Sequence, residues 1–332
     1  MGPRPWAGRK NSAAWSPAKP RAWCSRPWGP TPRCGPTCSV AAPPALSGDC
    51  PKPTRKADMH TKPRMGRIRY INVLPIYHAI DLGQVADGFH QVAGTPAELN
   101  QALSDGRLDL SAISSLEYGR HFRRYFLLPH LSISTRGDAG SVLFFSRLPF
   151  DRLESQDVLL SAGSATSQAL LKVILREQYG CRPCYRVGPV GDGFDPDCAA
   201  LLAIGDEALR LKAASRAPYV MDLGRAWHDL TGLPFVFGVW AVRRDFCARH
   251  PQTARTLHRT LVEAKNLGLA DLPEICRRAA DVVPLTQPEL LAYFHRLNYD
   301  LDGAQLEGLT AFFSALHRLG ELPEMPALEF LE

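Results

Sequence analysis

Short apolar runs alternate with longer amphipathic stretches through most of the chain beyond residue 66. The amphipathic stretches carry helix signals. Thr95-Pro96-Ala97-Glu98 is a capping box with proline at the first helical position, and Gly106 follows as a stop. A second box, Thr286 to Glu289, begins a helix near the C-terminus. The apolar runs predict strands at residues 67–71, 88–93, 108–113, 141–146, 158–160, 201–204, 219–221 and 235–242.

The alternation of strands and helices is typical of parallel βαβ units, in which helices cover both faces of a sheet. The pattern restarts at residue 158, so the strand at 141–146 leaves the first unit and the strand at 235–242 returns to it. We therefore predict an α/β fold of two lobes with a ligand cleft between them. Lobe 1 is predicted to comprise residues 65–145 and 241–332, and lobe 2 residues 146–240.

Residues 1–64 differ from the remainder in composition. They hold 12 of the 39 Lys and Arg residues but only two of the 33 Asp and Glu residues, a net charge of +10, whereas the remainder carries −4. They also hold 13 of the 28 prolines, which interrupt helices and strands. We predict either a disordered tail or translated upstream sequence, with the true start at Met65. Because the basic charge belongs to this segment, the body has no basic excess that would favour nucleic acid.

The cysteines and the apolar runs indicate the compartment. Five cysteines lie in the body without disulfide spacing. Cys181 and Cys184 form a CxxC pair, but the second pair or nearby histidines of a zinc site are missing. No window reaches the roughly 18 to 20 apolar residues of a membrane span. The sequence therefore predicts a cytoplasmic protein that holds no metal and does not associate with a membrane.

Hydroxyl-bearing residues follow two of the predicted strands. Gly163-Ser164-Ala165-Thr166-Ser167 stands between a strand and a helix, where free backbone amides and the helix dipole favour a carboxylate or phosphate. Ser114 and Ser115 repeat this arrangement. Serine and threonine are also ordinary helix caps, so each group is either a cap or half of a site for a small dianion. Asn72, after the first strand, is either a turn residue or an amide that donates and accepts hydrogen bonds.

Acid and base candidates also stand near the ends of predicted strands. Asp206, Glu207, Asp222 and His228 occupy such positions, and each is equally a helix cap or a solvated charge. The chain lacks GxGxxG after its first strand, GxxxxGK[ST] and GxSxG. Dinucleotide binding, a phosphate P-loop and a serine hydrolase are therefore disfavoured.

Several separated blocks, all in one order, resemble the chorismate dehydratases of the futalosine route to menaquinone. The resemblance covers Gly66 to about Leu319. It implies the two-lobed fold of periplasmic binding proteins, of type II, with the ligand between the lobes. The blocks are Tyr70-Ile71-Asn72-Val73-Leu74-Pro75, the run from Pro96 to Tyr118, Gly140-Ser141-Val142, Ser164-Ala165-Thr166-Ser167, Ile204 to Leu209, Asp222 to Trp227 and Thr231 to Phe237.

The resemblance implies a hydro-lyase that removes water from chorismate to give 3-[(1-carboxyvinyl)oxy]benzoate without a cofactor. Asn72 and Ser141 are then expected at the reacting centre, where they position the ring hydroxyl and a carboxylate. The base is either Asp206, Asp222 or the substrate's own enolpyruvyl carboxylate. The alternative is a non-catalytic solute-binding protein of the same fold that takes a small anion. The residues expected to bind the substrate are Ser114, Ser115, Ser164, Thr166, Ser167, Asp206 and Asp222.

Overall fold

The computed structural model describes residues 62–86, 88–190, 197–214 and 216–332. Its strands are β1 (Arg64–Ile68), β2 (His90–Gly94), β3 (Leu110–Ser114), β4 (Tyr125–Thr135), β5 (Val142–Ser146), β6 (Asp157–Ser161), β7 (Cys184–Gly188), β8 (Ala200–Ile204), β9 (Tyr219–Asp222), β10 (Phe235–Arg243) and β11 (Leu297–Asn298). Its helices are α1 (Leu74–Asp81), α2 (Pro96–Ser104), α3 (Ser115–His121), α4 (Ala165–Tyr179), α5 (Gly205–Ala214), α6 (Leu223–Thr231), α7 (Arg244–Arg249), α8 (Pro251–Ala270), α9 (Leu272–Ala279), α10 (Gln287–Arg296) and α11 (Gly303–Arg318).

The strands form two sheets. The first has six strands in the order β11-β4-β10-β3-β1-β2, and the second has five in the order β7-β6-β8-β5-β9. β1 runs parallel to β2 and β3, and β6 runs parallel to β7 and β8. The strands that follow the two crossings, β5 and β10, run antiparallel to their neighbours. Two mixed sheets, with helices between many of their successive strands, confirm the predicted two-lobed α/β class.

The two crossings between the sheets lie earlier in the chain than the predicted lobe boundaries. The strand β5 pairs entirely within the second sheet, whereas the prediction gave residues up to 145 to the first lobe. The strand β10 pairs entirely within the first sheet, whereas residues up to 240 were predicted to lie in the second lobe. Local apolar patterning shows that a strand is buried, but the partners of that strand are set by distant segments.

The first strand also differs from its prediction. β1 comprises Arg64–Ile68, so it begins three residues earlier than the predicted strand at 67–71. It pairs with His90–Gly94. The chain then turns, with a 3-10 helix over Ile71–Val73. The predicted boundary between residues 64 and 65 therefore falls within a strand. The predictions for residues 1–61 lie outside the described residues.

The turn after β1 is held in place by the close packing of helices α1 and α8. Helix α8 packs against α1, and Gly268 makes the approach possible, because a Cβ there would lie 1.9 Å from the carbonyl oxygen of Pro75. Ile76, Tyr77 and Ile80 of α1 are buried in an apolar cluster with Leu261 of α8. This packing fixes the start of α1, and with it the turn that carries Asn72.

Candidate active site

A cleft lies where the carboxyl ends of β1, β3 and β8 approach the start of α4. Five of the predicted site residues line it, namely Asn72, Ser114, Ser141, Ser164 and Ser167. The rest of the lining is mainly apolar, and no Asp, Glu, His, Lys or Arg is among the described residues that form it. Any anion in this cleft is therefore held by neutral donors. The other lining residues are Ile68, Tyr70, Val73, Pro96, Ala112, Ile113, Ile133, Ala139, Val142, Gly163, Ile204, Gly205, Phe237, Gly238, Trp240 and Leu297.

Asn72 lies in the 3-10 turn that follows β1. Its Oδ1 is buried and accepts no hydrogen bond from any described residue. Buried polar atoms in folded proteins are almost always paired, so an unpaired amide oxygen in a cleft indicates a group kept for a ligand. The buried oxygen of Asn72 is thus available to a ligand that enters the cleft.

Ser141 lies at the end of the segment that crosses from the first sheet to the second. Ser141 is only 4% exposed, and its Oγ is 3.0 Å from the hydroxyl oxygen of Tyr293. Tyr293 belongs to α10 and is itself 2% exposed. Burial raises the pKa of Tyr293, so its hydroxyl keeps its proton at neutral pH.

The start of α4 supplies the hydroxyls of the second lobe. Ser164 is its N-cap, and its Oγ accepts hydrogen bonds from the backbone N–H and the hydroxyl of Ser167, both at 3.1 Å. The first turn of this 15-residue helix contains no acidic side chain, so the positive end of its dipole is uncompensated there. Ser114 is the matching N-cap of α3 in the first lobe, where its Oγ accepts from the N–H of Glu117 at 3.2 Å.

Ser115 and Thr166 do not line the cleft, although each adjoins a residue that does. The Oγ of Ser115 donates to the carbonyl oxygen of Val236 at 2.6 Å. The Oγ1 of Thr166 accepts from the N–H of Leu116 at 2.9 Å, and this bond ties the start of α3 to the start of α4. The Thr166 bond therefore joins the two lobes, whereas the Ser115 bond lies within the first lobe. Both side chains can point away from the cleft although their neighbours line it, because neighbouring residues on a helix point in directions about 100° apart.

Asp222 also serves the backbone. Its carboxylate accepts from the N–H groups of Ala139 at 2.9 Å and Gly140 at 2.6 Å, in the crossing segment. It also caps α6 through the N–H groups of Gly224 and Arg225. Burial raises its pKa, and the backbone N–H groups of Ala139, Gly140 and Arg225 oppose that rise. A carboxylate engaged in this way is poorly placed to receive a proton from a ligand.

Asp206 connects the second lobe to the turn that carries Asn72. It is 7% exposed, and its Oδ1 accepts from the N–H of Ile71 at 3.3 Å. Next to it Gly205 has φ +57°, and a Cβ there would lie 3.2 Å from the ring of Tyr70. Tyr70 therefore packs on Gly205, and Asp206 fixes the adjoining peptide. The sequence did not nominate Tyr70, Phe237, Trp240 or Tyr293 as site residues, although Tyr70 and Phe237 lie in the blocks that carry the family resemblance.

Asp206 should make the stability of the protein depend on pH. Burial raises the pKa of its carboxyl, with the Ile71 N–H and Arg210 in opposition, so the folded protein binds this proton more tightly than the unfolded chain does. Its contribution to stability is therefore fully present below about pH 4 and is lost as the pH rises through the raised value. We expect Asp206→Asn to melt at a higher temperature than wild type at neutral pH, with the difference shrinking toward pH 4.

Calorimetric melting from pH 4 to pH 8 measures this difference. Asn can still accept the Ile71 N–H, so the variant changes the charge and keeps the contact. The control is Asp151→Asn, which removes an equivalent charge at an exposed position. A difference for Asp206→Asn that does not grow with pH would contradict the assignment.

The described residues were also compared with the requirements of a metal site and of a membrane-spanning helix. Within residues 62–86, 88–190, 197–214 and 216–332, no group of three His, Cys, Asp or Glu side chains is arranged to hold a metal ion. In the same ranges no helix is long and apolar enough to span a membrane.

Comparisons with known proteins give family and fold. A family model described as menaquinone biosynthesis matches residues 63–318. The chorismate dehydratase of Thermus thermophilus is 34% identical over 267 residues, which cover 76% of this chain and 94% of that protein. The chorismate dehydratase of Campylobacter jejuni is 31% identical over 176 residues, 52% of this chain and 64% of that protein.

Solved structures share the fold at low sequence identity. A protein of Archaeoglobus fulgidus has a TM-score of 0.63 at 16% identity, covering 78% of this chain and 98% of that protein. The periplasmic aliphatic sulphonate binding protein of Escherichia coli has a TM-score of 0.55 at 13% identity, covering 80% of this chain and 90% of that protein. The chain therefore has the fold of periplasmic binding proteins, as its sequence blocks imply.

Proposed function

The chain belongs to the menaquinone-biosynthesis family, and on that premise we propose that it is a chorismate dehydratase, a hydro-lyase that converts chorismate to 3-[(1-carboxyvinyl)oxy]benzoate. The observation that carries the proposal is the match to the Thermus thermophilus chorismate dehydratase along 94% of that protein's length. The cleft is consistent with this reaction, because Asn72, Ser141 and the α4 start converge on it.

Chorismate is a dianion, and the cleft offers it neutral donors from both lobes. In the proposed complex one carboxylate lies at the start of α4, where Ser164 and Ser167 contribute hydroxyls and the helix dipole favours negative charge. Ser114 contributes a hydroxyl from the opposite lobe. Neutral donors in a site that excludes water bind anions more strongly than they do in water.

The reaction removes the hydrogen on the ring carbon that bears the ether and the hydroxyl on the neighbouring carbon. The C–H electron pair forms the new ring double bond, the C–O bond breaks, and the proton joins the leaving oxygen to give water. The product ring is aromatic, so the step is downhill and depends mainly on orientation. Asn72 and Ser141 are proposed to position the leaving hydroxyl and a carboxylate.

We propose that the enolpyruvyl carboxylate of the substrate takes the proton. The described residues that line the cleft include no carboxylate and no imidazole. Asp206 and Asp222, the two protein candidates, lie outside this lining, and both carboxylates accept hydrogen bonds from backbone amides. The substrate carboxylate is attached through the ether to the carbon that loses its hydrogen, so it reaches that hydrogen without a protein base.

A cytoplasmic location is part of the proposal. The cysteines of the described ranges, Cys181, Cys184, Cys198, Cys247 and Cys276, are all free thiols, as is usual in a reducing compartment.

The direct test incubates the purified full chain with chorismate, without added metal or cofactor, and follows the products by liquid chromatography with mass detection. We expect a product that is lighter than chorismate by one water and coelutes with 3-[(1-carboxyvinyl)oxy]benzoate. Unchanged chorismate from folded protein would overturn the proposal. A melting temperature that still rises with chorismate would then favour the non-catalytic binding protein.

A further inference from the structure

Behind Ser141, and outside the cleft lining, lies the hydroxyl of Tyr293. The two oxygens are 3.0 Å apart, and both side chains are almost completely buried. The ring of Tyr293 also contacts the residue before Ser141, because a Cβ on Gly140 would lie 3.3 Å from a ring carbon. Gly140 has φ +76°, a conformation that favours glycine. The backbone that carries Ser141 is thus fitted closely to Tyr293.

The direction of this hydrogen bond follows from the partners available. Among the described residues, Ser141 is the hydrogen-bond partner found for the Tyr293 hydroxyl. If Ser141 donated, the phenolic hydrogen would be buried without an acceptor, which carries its full desolvation cost. If Tyr293 donates, its hydrogen is satisfied and the hydrogen of Ser141 is free to point into the cleft. The second arrangement places the hydrogen that lacks a partner on Ser141, which lines the cleft, where a ligand can accept it.

We propose that Tyr293 is a positioning residue that donates to Ser141 and thereby fixes the Ser141 hydroxyl as a hydrogen-bond donor to the leaving hydroxyl of the substrate. The inference rests on the proposed function. As the C–O bond breaks, negative charge develops on the leaving oxygen, and a donor already oriented toward it stabilises that charge without reorganisation. The proton taken from the ring carbon completes the water, so Ser141 keeps its own proton.

The test begins with Tyr293→Phe, which removes the hydroxyl and keeps the ring against Gly140. We expect kcat for chorismate to fall by roughly 10- to 100-fold, with KM changed by less than about threefold, because the loss falls on the transition state. The matched control is Tyr299→Phe. The hydroxyl of Tyr299 is also buried but has no hydrogen-bond partner among the described residues, so its removal should leave kcat unchanged.

A double-mutant cycle separates positioning from simple structural support. If Tyr293 acts through Ser141, then Ser141→Ala and Ser141→Ala with Tyr293→Phe should have the same kcat. A Tyr293→Phe effect that persists without the Ser141 hydroxyl, or a Tyr293→Phe enzyme with wild-type kcat, would overturn the proposal.

Denaturant unfolding of the wild type, the two single variants and the double variant measures the same coupling without enzyme turnover. Loss of one shared hydrogen bond should appear as a coupling of roughly 2- to 10-fold in the unfolding equilibrium constant. An active wild-type enzyme whose variants show no coupling overturns the role of Tyr293 alone. An inactive wild-type protein overturns the proposed function and the positioning role of Tyr293 together.

Discussion

Replacing Asn72 by alanine should lower kcat/KM for chorismate by at least about 100-fold, the usual cost of losing one well-placed polar group at a reacting centre. The amide oxygen of Asn72 is buried in the cleft lining, and no described residue donates a hydrogen bond to it. The turn that holds it is fixed from both sides, by the carboxylate of Asp206 and by the packing of α1 on α8. A side chain on a turn that is fixed in this way can orient a ligand.

The stability of Asn72→Ala should rise or stay unchanged, although its activity falls. Removing a buried acceptor that has no hydrogen bond relieves a desolvation cost, so the melting temperature of Asn72→Ala should equal or exceed that of wild type. If Asn72 served only the fold, its replacement would lower the melting temperature and leave the activity of the folded enzyme unchanged. Steady-state kinetics and calorimetry on one preparation measure both effects.

The control is Asn266→Ala, which makes the same substitution on the exposed face of α8. Alanine is a better helix former than asparagine, so this variant should fold well and retain full activity. Near wild-type activity in Asn72→Ala would remove Asn72 from the proposed mechanism. A large loss in Asn266→Ala would show that the assay reports general damage.

The convergence of the cleft residues could be predicted because it depends on local rules. Asn72 follows β1 and Ser114 ends β3, and parallel strands bring such positions to one edge of the first sheet. Ser164 follows β6 in the second sheet by the same rule. Serine is a common N-cap residue, which is one of the two roles predicted for each serine group, and Ser114 and Ser164 are N-caps in the structure. The pattern of strands and helices along the chain is sufficient to predict which residues lie at strand ends and helix starts.

Contacts between distant segments could not be predicted in the same way. The bond from Ile71 to Asp206 joins residues 135 positions apart, and the contact of Ser141 with Tyr293 joins residues 152 positions apart. Nothing local in α10 distinguishes a tyrosine that supports a serine from one that fills the core. The lobe boundaries failed for the same reason, since strand pairing is decided by tertiary context.

Ser164→Asp should raise KM for chorismate by at least about 100-fold while the protein stays as stable as wild type. Aspartate is among the best N-cap residues, and its charge suits a helix start, so the cap on Ser167 is preserved. The cleft, however, contains no Lys, Arg or His among its described residues to offset an added charge. A like charge at about 5 Å, at an effective dielectric constant of about 20, costs about 3 kcal/mol, or more than 100-fold in affinity.

The neutral isostere Ser164→Asn isolates that charge. It keeps the cap and nearly the same volume as aspartate, so any loss it shows reflects shape and the missing hydroxyl, and the remaining difference between the two variants is one negative charge. We expect Ser164→Asn to bind chorismate at least tenfold more tightly than Ser164→Asp does, with similar melting temperatures. Equal KM values for the two variants would mean that no carboxylate of the substrate lies at the start of α4, and the dianion would have to be held elsewhere in the cleft.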